Sequence, residues 1–298
     1  MTVAPSTLPE QSSAQKRASR TPKLSSVGVL RAEAYKLRTL PSPRVLFLVA
    51  LALMASFGAL YAWTLSMTYE RIQNAKPGDR IPWGGSALPP EAVAEQLKHV
   101  VFYPAVAGAT LGGLLFLSAA VNFIATEYST GSIQSSLVSV PRRGLILLAK
   151  TVSISVVAFI LGYAGSILGF ILGLPVLPEA IRPEVDGGMY RLFALVGLHM
   201  VVLSWMGLGL GALLRSNVGG IVVAVILLFV LPLLLAVFSG VEWVKDITVY
   251  TPADLGNVMM THDIDKVTDP NHTVRTLCFM AWGLVPLVAG WVRLRWSD

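Results

Sequence analysis

SNVGGIVVAVILLFVLPLLLAVFSGV, residues 216–241, contains no Asp, Glu, Lys or Arg. A helix needs about 20 apolar residues to cross the hydrocarbon of a bilayer, and this run exceeds that. Five more charge-free runs flank it: Val45 to Tyr69, Val100 to Thr126, Thr151 to Pro178, Leu192 to Leu214, and Thr276 to Val292. The last is the shortest and carries Pro286, but Trp282, Trp291 and Trp296 suit a helix end at the membrane interface. These are continuous apolar blocks, not alternating ones, which excludes the pattern of a membrane β-barrel. Composition agrees: 54% of the 298 residues are hydrophobic and 13% charged, about half the charge of a soluble domain.

The expected fold is all-α and integral to the membrane, with six transmembrane helices near 45–66, 100–124, 151–174, 192–214, 217–239 and 275–292. Residues 1–26 are rich in Ser, Thr, Pro, Ala and Lys/Arg and have no apolar core. They read as a disordered tail, not a cleavable signal. Residues 293–298 read as a second short tail.

Placing residues 1–44, 127–150, Arg215 and 293–298 on one side gives that side 14 of the 23 Lys+Arg and 4 of the 17 Asp+Glu. The positive-inside rule then puts both ends in the cytoplasm of a plasma membrane. The net charge of +6 follows from orientation, and no aromatic-interleaved basic stripe points to nucleic acid.

Before the first run, residues 27–44 read as an amphipathic elbow helix. Ser25 or Ser26 is placed to cap it. Val27, Leu30, Ala34 and Leu37 share one face, Arg31, Lys36 and Arg38 form the polar complement, and Pro41 and Pro43 stop it. Such a helix lies in the plane of the membrane or is an ordinary surface helix. In the connection 127–150, Glu127 ends the second run and Lys150 opens the third. Ile133, Leu137 and Val140 fall at helical spacing, and Pro141, Arg142, Arg143 and Gly144 follow. This short helix either docks a partner or only anchors the interface. The connections 70–99 and 242–275 face outward. The second is read as an acidic surface loop, since His262, Asp263, Asp265 and His272 match no metal pattern.

Glycines four apart (Gly108 and Gly112; Gly165, Gly169 and Gly173; Gly207 and Gly211) predict close helix crossings, and Pro104, Pro232 and Pro286 are candidate bends. The polar side chains inside the runs are few. Asn122 is expected to bond between helices. His199 is expected to be structural, or else the centre of an intramembrane enzyme. Cys278 is read as a small apolar side chain.

No GxxxxGK[ST], HExxH or GxSxG motif occurs. Every Asp, Glu, Lys and Arg falls outside or at the edges of the runs, so an ion relay at mid-depth has no residues to use. The chain is therefore expected to be no enzyme and to bind no cofactor itself.

Four segments resemble the membrane subunit of ABC-2 type transporters, especially the bacterial permeases made as separate chains. They are LRAEAYKLRTLPS (30–42), ATEYSTGSIQSSLVSVPRRGLILLAK (125–150), GLGLGALLRSNVGGIVVAVILLFVLPLLL (207–235) and TPADLGNVMM (251–260). The resemblance covers residues 27–292. It implies an exporter subunit that pairs with an identical or related permease and binds two copies of an ATPase subunit, which carries ATP and Mg2+. It also implies an ATPase-coupling region at Glu127, Gly131, Ser132, Leu137, Pro141, Arg142 and Arg143, with Arg31, Glu33 and Lys36 beside it on the elbow helix. The outer connections are longer than a minimal permease needs. A membrane scaffold without transport is the alternative.

Overall fold

The computed structural model describes residues 25–74, 97, 100–132, 143–261 and 270–296. Among these residues the fold is all-α, with six helices long and apolar enough to cross a membrane. Helix α1 spans Ser26–Thr39 and α2 spans Pro41–Gln73. A 3-10 turn at Tyr103–Ala105 leads into α3 (Ala109–Ser129). Then come α4 (Arg143–Gly173), α5 (Gly187–Leu214) and α6 (Asn217–Val225). Helix α6 continues through a π-helical stretch, Ile226–Val230, into α7 (Leu231–Val237). Two short helices follow, α8 (Glu242–Thr248) and α9 (Pro252–Met259), before α10 (Pro270–Trp296). The spanning helices are α2, α3 with its leading turn, α4, α5, α6 with α7, and α10.

Most helices outrun the apolar runs because their polar ends keep helical geometry. Helix α2 continues to Gln73, and α4 starts at Arg143, so Lys150 lies about two turns inside it rather than at its mouth. Pro41 and Pro43 do more than stop α1. Leu40 takes an extended conformation before Pro41, the region a following proline favours, and Pro41 then serves as the first residue of α2. Residues 41–44 thus belong to the span, not to the elbow.

Helix α5 is the hub. In its most apolar 18-residue window 78% of residues are buried, against 17% in the fifth span and 22% in the sixth. Helices α3, α4 and α10 pack directly on it. The apolar side chains left exposed on the outer helices, such as Val218, Val222 and Leu233, present the surface that lipid covers. Within a membrane, close approach of backbones replaces hydrophobic burial as the force between helices, and the glycine ladders sit at these crossings. A Cβ at Gly207 would run into the Leu117 carbonyl, and one at Gly211 would lie 3.0 Å from the Val121 carbonyl. Gly108 and Gly112 pack on Met54, and Gly165, Gly169 and Gly173 face α2.

Hydroxyl and indole groups add cross-links. Ser166 donates to the Ala105 carbonyl at 2.7 Å and Trp205 to Ser155 Oγ at 2.8 Å. Asp186 and Ser216 cap α5 and α6. The turn between these helices is two residues, and Arg215 makes it with a φ of 51°, a conformation that non-glycine residues rarely adopt.

The candidate bends divide three ways. Pro104 sits in the 3-10 turn before α3. Pro232 follows the π-helical stretch; lacking an N–H, it breaks the α-helical ladder there. Pro286 lies within α10, where Gly209 of α5 packs against its carbonyl group.

The connection after the fifth span departs from the acidic surface loop expected of it. In α9, Pro252, Leu255, Gly256 and Met259 are buried, and the Trp282 indole at mid-length of α10 donates to the Tyr250 carbonyl at 3.0 Å. Residues 249–260 therefore fold back into the bundle. The acids of the connection as a whole hid a short amphipathic helix, capped by Thr251, whose single acid Asp254 stands beside the buried Leu255 and Met259. Burial raises the Asp254 carboxyl above its ordinary range, against the lowering pull of Arg275. His272 bonds through Nε2 to the Val258 carbonyl at 2.9 Å. His262, Asp263, Asp265, the tail 1–24 and most of the connection 70–99 lie outside the described residues.

Candidate functional site

Four charged side chains from three helices meet in a closed ring. Lys150 of α4 donates to Glu33 Oε2 at 2.6 Å and to Glu127 Oε1 at 2.8 Å. Lys36 of α1 donates to Glu33 Oε1 at 2.8 Å and to Glu127 Oε1 at 2.9 Å. Each lysine bridges both carboxylates, so like charges never adjoin and the formal sum is zero.

Each residue reaches the ring for a local reason. Glu33 and Lys36 lie one turn apart on α1, the spacing at which helical side chains meet. The buried stripe of α1 is Val29, Glu33 and Leu37, packed along α4. This is not the face expected from Val27, Leu30, Ala34 and Leu37: Val27 and Ala34 are exposed. The stripe forms around the carboxylate because Glu33 needs a buried cation more than Val27 needs cover in a membrane. Glu127 stands in the last turn of α3. Lys150 is 1% exposed, and its ammonium lies 4.1 Å from the centre of the Phe123 ring, a cation–π contact.

Charges buried this way are costly without their partners, and the desolvation they suffer offsets much of the attraction. The ring therefore contributes specificity more than net stability: it fixes α1 against the ends of α3 and α4 in one register. Glu33 uses both oxygens. Glu127 accepts both lysines on Oε1, and its buried Oε2 has no hydrogen-bond partner.

Lys36 is the member open to water, with 35% of its side chain exposed. Burial pulls its pKa down, yet the hydrogen bonds and charges of Glu33 and Glu127 outweigh that and raise it above the ordinary 10.5. A raised lysine pKa contributes stability that is fully present below pH 10.5 and disappears as the pH climbs through the folded value. The melting-temperature gap between wild type and Lys36→Met should be constant from about pH 8 to 10 and should close above 10.5. Solvent screening limits the stability difference behind that gap to about 1 kcal/mol. A gap that persists at higher pH would mean that packing, not charge, is what Lys36 supplies.

The other sequence-predicted residues fall in different places. Gly131 ends α3 with a φ of +70°, the left-handed helix terminator that glycine suits, and Thr130 and Ser132 hydroxyls meet beyond it at 3.0 Å. Arg31 is exposed on α1, and Arg143 opens α4. Leu137, Pro141 and Arg142, with the short helix expected at 133–140, lie outside the described residues.

Asn122 is not joined to another helix as expected. Its Oδ1 accepts from Thr126 of the same helix at 3.0 Å, since residues four apart share a face. His199 is buried in α5, stacked on Phe279 with ring centres 5.0 Å apart. It abuts Gly113 and Gly256, and its Nδ1 has no hydrogen-bond partner. That places it in the packing between α3, α5, α9 and α10, apart from the ring. The role of Lys150 went unread in sequence, where it served only to open a span. The missed signal was a lone cation inside LILLAKTVSISVV, which demands a buried anion.

The chain matches no protein-family model and has no significant match among curated proteins.

Proposed function

We propose that this multi-pass α-helical membrane protein is the permease subunit of an ATP-driven transporter of the ABC-2 type, an exporter, with both termini in the cytoplasm. The observation that carries the reading is the buried ring Glu33–Lys36–Glu127–Lys150. It joins α1 to the two helix ends that flank the connection 130–143. A push on that connection from outside the membrane would pass to α3, α4 and α1 together, because breaking one member leaves a buried charge unpaired. The bundle needs such an outside push: the charged groups of the spans sit at their two ends, and among the described residues none forms a mid-depth relay of the kind that drives ion-coupled transport. The energy would come from a separate ATPase, and the side that carries 14 of the 23 Lys+Arg would face it.

The test is co-purification of the tagged full chain in mild detergent, with mass spectrometry of its partners. A stoichiometric ATPase with a Walker-A motif is the expected result. Its absence from an intact preparation would move the reading to a membrane scaffold. Replacing Arg142 and Arg143 with Glu should lower ATPase recovery roughly tenfold, the scale on which rim charges act, with insertion unchanged. Full recovery with the correctly inserted variant would remove these two arginines from the contact.

A further inference from the structure

Glu33 is the only Asp or Glu between residues 25 and 69, and it is turned inward to the ring. Within residues 25–69, the outer surface of α1 and the first turn of α2 therefore carries cations and no acid. Two of its arginines, Arg38 and Arg44, stand on either side of the Leu40–Pro41 break. With Tyr35 and Thr39 they line an open cleft of about 780 Å³, a volume in the range of small-molecule sites. Among the described residues no carboxylate pairs with either guanidinium.

The cleft's position selects its occupant. Arg44 is the last charged residue before the apolar run begins at Val45, so it sits at headgroup depth. Val45 and Leu48, just beyond it, are 58% and 64% exposed and continue from the cleft along the outer face of α2. A guanidinium pair matches the oxygens of a phosphate in a planar, forked geometry. The apolar strip below suits a hydrocarbon chain attached to that phosphate. Basic pockets at this level of a membrane protein bind anionic lipid headgroups.

We propose that the cleft between α1 and α2 binds the phosphodiester of an anionic phospholipid, held by Arg38 and Arg44, with an acyl chain lying along Val45 and Leu48. The Tyr35 hydroxyl is placed to donate to the same headgroup. The assignment stands apart from the transport reading and needs only that the chain lies in a bilayer.

The experiment is native mass spectrometry of the purified full chain in detergent with equimolar phosphatidylglycerol and phosphatidylcholine. Wild type should retain phosphatidylglycerol preferentially. Arg38→Gln/Arg44→Gln should lower the ratio of the two adducts roughly tenfold. Arg71→Gln, which removes a cation from the other end of α2, should leave it unchanged. An unaltered ratio in the double variant overturns the proposal, as does an equal fall with Arg71→Gln. If the double variant does not survive purification, the two single variants read the same ratio, and no change in either is decisive against the site. Millimolar inorganic phosphate should not displace the lipid; if it does, the arginines hold free phosphate and the lipid assignment fails.

Discussion

Lys150→Met should destabilise the protein by about 3–5 kcal/mol, the cost of removing one member from a buried ionic cluster. Methionine fills nearly the same space, so packing loss is minor. What remains is two carboxylates, Glu33 and Glu127, within reach of Lys36 alone, in a pocket where Lys150 had been 1% exposed. The surplus buried charge is then left without a partner unless the pocket opens to water. The thermal transition of the detergent-solubilised protein, followed by size-exclusion chromatography after heating, measures the loss. The companion variant Lys150→Met/Glu127→Gln removes the surplus anion and should recover at least half of it. Additive losses in the double variant would show that Lys150 and Glu127 act independently, contrary to the ring.

The second large effect is expected from Gly58→Leu. A Cβ at Gly58 would stand 2.5 Å from the Gly169 Cα and 2.6 Å from both the Gly169 and Pro104 carbonyl oxygens. All three are backbone atoms, so no side chain can rotate aside, and α2 must part from α4. Overpacking of this kind costs about 1–3 kcal/mol in cores that adjust, and a rigid backbone contact puts Gly58→Leu at the upper end. Gly187→Ala is the control: nothing lies within 4 Å of its Cβ position. It should be neutral or slightly stabilising because alanine restricts the unfolded chain. Equal behaviour of the two variants in the same thermal assay would contradict the close crossing.

The six spans were legible because each is an uninterrupted apolar run, a signal that needs no partner. The glycine ladders were legible for the same reason: Gly165, Gly169 and Gly173 repeat along one helix. Gly58, which meets Gly169, was not, because a lone glycine in α2 acquires meaning only across a crossing. The ring shows the same boundary. Glu33, Lys36 and Glu127 each stood out as charges near span ends, but their meeting spans 91 and 117 positions of sequence. One chain gives no pattern for that separation. The buried face of α1 was misjudged since side-chain polarity was taken to mean exposure, whereas Glu33 is buried through its ion pairs. Helix α9 was misjudged in the opposite sense, the acids of the connection around it outweighing Leu255 and Met259 in a composition count.

The ring also sets an order of events during synthesis. All four of its residues lie within the first 150 of the 298 positions, and Lys150 is the last to be made. Until it emerges, Glu127 can pair only with Lys36, and Lys150 itself would enter the bilayer as an isolated cation, an expensive state. Its two anions are already waiting when the third helix arrives. Chains are completed from the N-terminus, so α1 to α4 can lock together before α5 exists, and the central helix is added to a partner surface already in place. The Trp282–Tyr250 tie and the packing of α9 on α10 come under the opposite constraint. They close only after the sixth helix has been made, which makes the fold-back segment the final piece of the protein to settle.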